Sequence, residues 1–66
     1  MRFIFEARYE TDGGGWHADC VSVSLGVILT NTTDRRKLPE MVKDAIETAL
    51  HAAGVSGPYT FHIVYK

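Results

Sequence analysis

Apolar and polar positions alternate along the first strand-like stretch of the chain, residues 2–9. Phe3, Phe5, Ala7 and Tyr9 fall on one face, and Arg2, Ile4, Glu6 and Arg8 on the other. Period-two alternation with aromatic content predicts a half-buried β-strand. Glu10-Thr11-Asp12-Gly13-Gly14-Gly15 then predicts a turn, because Asp initiates turns and Gly adopts positive φ without steric cost. A second strand opens at Trp16, with Trp16, Ala18 and Cys20 alternating with His17, Asp19 and Val21. A hairpin closed by Tyr9 and Trp16 sets Ala7 against Ala18 and Phe5 against Cys20 on one side. The same register sets Arg8 against His17 and Glu6 against Asp19 on the other, so both faces agree on one pairing.

Ser22-Val23-Ser24 reads as a turn or as the start of another strand. A third strand is expected over residues 25–31, where Val27, Ile28 and Leu29 are followed by Thr30. Asn31-Thr32-Thr33-Asp34 is a cluster whose side chains bond to nearby backbone. Leu38, Met41, Val42, Ala45, Ile46, Ala49, Leu50 and Ala53 keep the three-four spacing of an amphipathic helix, and Gly54 fits just past its end. Pro39 belongs in a first helical turn. The regular helix therefore starts near Leu38 or Pro39, and Thr33 or Asp34 caps a separate preceding turn. After Gly57-Pro58, the residues Tyr59, Phe61, Ile63 and Tyr65 alternate with Thr60, His62, Val64 and Lys66 as a fourth strand. The expected fold is a single α+β domain over residues 1–66. Its order is β-β-β-α-β, with a four-stranded, mainly antiparallel sheet and the helix packed on one face.

A sheet covered by one helix should be polar on its other face. Here Ile4, Val21, Ile28 and Val64 are expected on that second face if the aromatic residues turn to the helix. In a chain of 66 residues, cover for this face comes from another molecule, through a homodimer or a higher oligomer. Pairing of sheet edges between subunits is an equally simple route.

Composition narrows the function. Seven basic and eight acidic side chains give a net charge of −1. That balance argues against a nucleic-acid binder, which needs a basic field. Arg35-Arg36-Lys37 is the one basic run and the one place for electrostatic contact with an acidic partner or RNA. The single cysteine, Cys20, excludes an internal disulfide. With no apolar leader and no membrane-spanning run, the chain reads as a reduced, cytoplasmic protein. Glu6, Arg8, His17, Asp19 and His62 gather on the second face. A flat, solvated sheet has no buried pocket to shift their pKa values or exclude water, so an interface role is expected rather than catalysis. His17 and Cys20 point to opposite faces and cannot share a metal. No catalytic or metal-binding residue is assigned, and no cofactor is implied. The candidate interface is Ile4, Glu6, Arg8, His17, Asp19, Ile28, His62 and Val64.

The hairpin Tyr9-Glu10-Thr11-Asp12-Gly13-Gly14-Gly15-Trp16-His17-Ala18 resembles the first hairpin of the HicB-like antitoxin family. Leu25-Gly26, the stretch from Thr30 to Asp34, and the helix segment Met41-Val42-Lys43-Asp44-Ala45-Ile46-Glu47 are also similar to that family. The resemblance covers roughly residues 3–50. It implies a β-β-β-α-β domain that binds and neutralises a small ribonuclease toxin and assembles as a dimer or tetramer. Full-length members add a C-terminal DNA-binding segment, and with the sequence running to Lys66 a stand-alone short member is expected. A small RNA-binding domain or an oligomeric scaffold is the alternative.

Overall fold

The computed structural model describes residues 1–22 and 28–66. Strands β1 (Arg2–Glu10) and β2 (Gly15–Cys20) form the expected hairpin. Its register sets Tyr9 against Trp16, Ala7 against Ala18, Phe5 against Cys20, Arg8 against His17 and Glu6 against Asp19. Gly14 makes the return possible. Its φ is 64°, a left-handed value that costs a side chain strain, and its N–H donates to the Glu10 carbonyl at 2.8 Å.

Strand β3 (Leu29–Thr32) runs antiparallel to β2. Residues 25–27 of the expected third strand, and Val23 and Ser24 before it, lie outside the described residues. The placement of Ile28 on the second face is corrected. Leu29 sits opposite Asp19, which puts Leu29 on the uncovered face. Ile28 alternates to the helix side, where its carbonyl accepts the Cys20 N–H at 3.0 Å and it is 5% exposed within the core.

A 3-10 turn (Arg35–Lys37) precedes helix α1 (Leu38–Ala53). Asp34 caps that turn: its Oδ1 accepts the Arg36 N–H at 3.0 Å, and its own N–H donates to Thr32 Oγ1 at 3.2 Å. Pro39 then falls in the first turn of α1, where it removes no helical hydrogen bond. At the far end Gly54 has φ 68°. Its N–H donates to His51 O at 3.1 Å, and the Val55 N–H donates to Leu50 O at 3.0 Å. This is the Schellman closure that a left-handed glycine permits.

The buried stripe of α1 is Leu38, Val42, Ile46 and Leu50. It is narrower than the spacing predicts, because Met41 and Ala53 are exposed. The stripe packs on Phe3, Phe5, Ala7, Ala18 and Ile28 to form the core. Strand β4 (Thr60–Tyr65) follows the helix and pairs with β1 in parallel. The sheet order is β3-β2-β1-β4. The helix is the crossover that carries the chain from one edge to the other, which is what a parallel pair requires. α1 lies closest to β3 and β2. On the helix side of β4, Phe61 and Ile63 remain half-buried, and Tyr65 is exposed. No helix among the described residues is long and apolar enough to cross a membrane.

Candidate functional site

Residues directly opposite each other in a ladder share a face, so the register writes out the uncovered side of the sheet row by row. Ile4 on the central strand lies beside His62, and its carbonyl accepts the Val21 N–H at 2.8 Å. The next row runs Leu29, Asp19, Glu6, Val64 across all four strands. The row after it runs Asn31, His17, Arg8. The structure therefore brings together Ile4, Glu6, Arg8, His17, Asp19, His62 and Val64 of the candidate interface, with Leu29 in place of Ile28.

Glu6 is the electrostatic centre of this face. Its carboxylate lies 3.5 Å from Lys66 Nζ and 3.9 Å from the Arg8 guanidinium. Asp19 stands directly across from Glu6, so the two cations offset a like-charge pair. Around these charges lie Leu29 at 64% exposure and Val21 at 48%, with Ile4 and Val64 half-buried. The surface is thus a flat mixture of apolar side chains and charges of both signs. Flat mixed surfaces of this kind suit contact with a protein better than enclosure of a small molecule.

A groove of about 590 Å³ lies between α1 and β4, lined by Lys43, Glu47, Tyr59 and Phe61 among others, and it contains none of Glu6, His17 or Asp19. Among the described residues, no group of three His, Cys, Asp or Glu side chains is placed to hold a metal ion. Cys20 turns to the helix side, away from His17, and its thiol donates to Ser22 O at 2.9 Å. The Ser22 hydroxyl accepts the Ile4 N–H at 2.8 Å, so a side chain replaces the ladder bond where β2 ends.

The basic run is less available than the sequence suggests. Arg36 is held by Asp34, with Nη2 3.1 Å from Oδ2 and Nε 3.2 Å from Oδ1. Its guanidinium keeps the Asp34 carboxyl below the ordinary value of 3.8, chiefly through the side-chain hydrogen bond. Arg35 lies with its guanidinium carbon 4.1 Å from the centre of the Tyr65 ring and 5.6 Å from that of Trp16. Trp16 in turn meets Tyr9 and Tyr65 edge-on, with centroids 5.7 and 6.0 Å apart. Sequence reasoning missed this cluster. Arg35, Trp16 and Tyr65 come from three distant segments, and no periodicity links them. A second missed contact is the Tyr59 hydroxyl donating to Glu47 Oε2 at 2.9 Å. Burial, with Glu47 adding to it, raises that phenol above its ordinary value of 10.0.

No protein-family model, curated protein or solved structure matches this chain.

Proposed function

We propose that this chain is a non-enzymatic protein-binding module that neutralises a small ribonuclease toxin, as its resemblance to the HicB-like antitoxins implies, and that it does so with the uncovered face of its sheet. The observation that carries the reading is the exposure of Leu29 and Val21 beside Ile4 and Val64 on an otherwise charged face. Exposed apolar side chains supply contact area in a protein interface, and charged groups orient the partner. Leu29 and Val64 flank the Asp19–Glu6 pair in one row. On this reading Glu6, Arg8, His17, Asp19 and His62 orient the partner from within the patch, while Ile4, Val21, Leu29 and Val64 supply the apolar contact around them. The order β1-β2-β3-α1-β4 is the order that the resemblance implies. A reduced cytoplasmic setting suits both the single cysteine and such a partner. RNA binding has less to rest on, because Asp34 holds Arg36 and two aromatic rings hold Arg35.

The test is co-expression with a candidate small ribonuclease toxin, scored by co-purification and by relief of growth arrest. Binding and relief are expected for the natural sequence. Val21→Lys combined with Leu29→Lys is expected to abolish both, with an unchanged circular dichroism spectrum, since both side chains are exposed and a lysine at 29 faces Asp19. A chain that neither captures nor silences such toxins overturns the toxin reading. Capture that survives the double substitution overturns the assignment of the face.

A further inference from the structure

We propose that a second copy of this chain pairs with the outer edge of β4, strand against antiparallel strand, so that two four-stranded sheets join into one across a two-fold axis at Ile63. The starting point is the direction of the backbone groups. The Thr60 N–H donates to Met1 O at 2.9 Å and the Lys66 N–H to Ala7 O at 2.8 Å, and β4 pairs with β1 in parallel between them. In a parallel ladder alternate residues bond to the neighbouring strand. The even-numbered residues of β4 thus face β1, and the N–H and C=O groups of Phe61, Ile63 and Tyr65 point outward. Strand β4 ends the sheet, and no described residue takes up those groups.

Free edges are normally protected by charges, proline, a bulge or a short strand. The strand Thr-Phe-His-Ile-Val-Tyr has no Asp, Glu, Lys, Arg or Pro, and it is six residues long. At the opposite edge β3 has four residues. β4 is therefore the edge left open to pairing.

The same strand selects its partner. Outward-pointing residues must oppose one another in an antiparallel ladder, and full overlap of residues 60–66 is reached only with Ile63 against Ile63 of the second copy. That register sets Phe61 against Tyr65, His62 against Val64, and Thr60 against Lys66, each pair occurring twice. No like charges meet, and the helix-side pairs are apolar or aromatic. The groove of about 590 Å³ between α1 and β4 is lined by Lys43, Glu47, Tyr59 and Phe61 among others. Tyr65 of the second copy arrives beside Phe61 at the mouth of that groove and adds aromatic contact there. The half-buried side of β4 is closed by the matching strip of the other copy. This assembly leaves the other sheet face free, so it does not depend on the toxin reading and is tested on the chain alone.

Light scattering across a micromolar-to-millimolar dilution series is expected to give twice the chain mass, falling towards the chain mass on dilution. Amide exchange measured by NMR locates the contact. The N–H groups of Phe61, Ile63 and Tyr65 should exchange slowly in the dimer and quickly once it dissociates, whereas those of His62 and Val64 stay slow in both. His62→Lys with Val64→Lys sets like charges across both central pairs and should raise the dimer dissociation constant about tenfold. His62→Glu with Val64→Lys sets opposite charges there and should keep the dimer. Both positions lie on the uncovered face, outside the core, so both variants should keep the natural circular dichroism spectrum. A monomer throughout the series overturns the proposal. So does equal dimerisation by the two variants, or a dimer in which Phe61, Ile63 and Tyr65 exchange freely, a result that would transfer self-association to the other face.

Discussion

Asp34 joins two roles in one carboxylate. It caps the 3-10 turn by accepting the Arg36 N–H and pairs with the Arg36 guanidinium at 3.1 Å. Because the folded state holds its pKa below the ordinary 3.8, the proton binds more readily to the unfolded chain. The stabilisation is therefore present above about pH 4 and is lost as pH falls through the lowered value. Asp34→Asn keeps an oxygen for the cap but removes the charge. The variant should be less stable than the natural chain at neutral pH, and the difference should shrink as pH falls below about 4, as read from urea unfolding across that range. An equal difference throughout would show that the ion pair contributes nothing. At this scale the sequence was informative. Asp34 three residues before Lys37-Leu38-Pro39 is a cap signal because short acidic side chains bond to nearby N–H groups and Pro39 has to sit in a first turn. Ile28 was not legible. Val27, Ile28 and Leu29 are three consecutive apolar residues, and such a run has no period-two phase from which to choose a face.

Elements are tied together by contacts that no local pattern announces. The 3-10 turn is fastened to β2 and β4 by Arg35, which lies over Tyr65 and Trp16. Interactions of a cation with an aromatic face contribute about 0.5–1 kcal/mol at exposed sites. Arg35→Ala should cost about 1 kcal/mol in urea unfolding and shift the emission of Trp16, the single tryptophan of the chain. Arg35→Lys should recover only part of the loss, because an ammonium cannot stack as a planar guanidinium does. Unchanged fluorescence and stability in Arg35→Ala would place Arg35 in solvent. The hairpin, by contrast, was fully legible down to its register. Tyr9 and Trp16 flank a turn whose glycine adopts φ 64°; alternation on both arms excludes a one-residue slip, and the turn length fixes the pairing. The helix was legible in its ends and in its inner stripe. Its outer limits were not, because Met41 and Ala53 fit the spacing but are exposed in the fold.

As a whole molecule the domain has little stability to spare. At about 0.05–0.15 kcal/mol per residue, 66 residues hold about 3–10 kcal/mol in all. Ile46 is fully buried between helix and sheet, and truncation of such a side chain costs about 2–5 kcal/mol. Ile46→Ala should thus lower the urea midpoint sharply and leave a substantial unfolded fraction at physiological temperature, measured by circular dichroism. A small shift would mean that the core relaxes to fill the space. Burial added by the β4 pairing proposed above would raise that margin by mass action. The sequence by itself determined the elements, the hairpin register, the capped turn before the helix and the core stripe, because alternation, caps and turns are set by residues close along the chain. Only the tertiary structure decided that β4 lies parallel to β1 at a bare edge, that Ile28 is core while Leu29 is surface, and that Arg35 stacks on rings from two strands. Each of those depends on where the crossover helix returns the chain, and that is set by the packing of distant segments against one another.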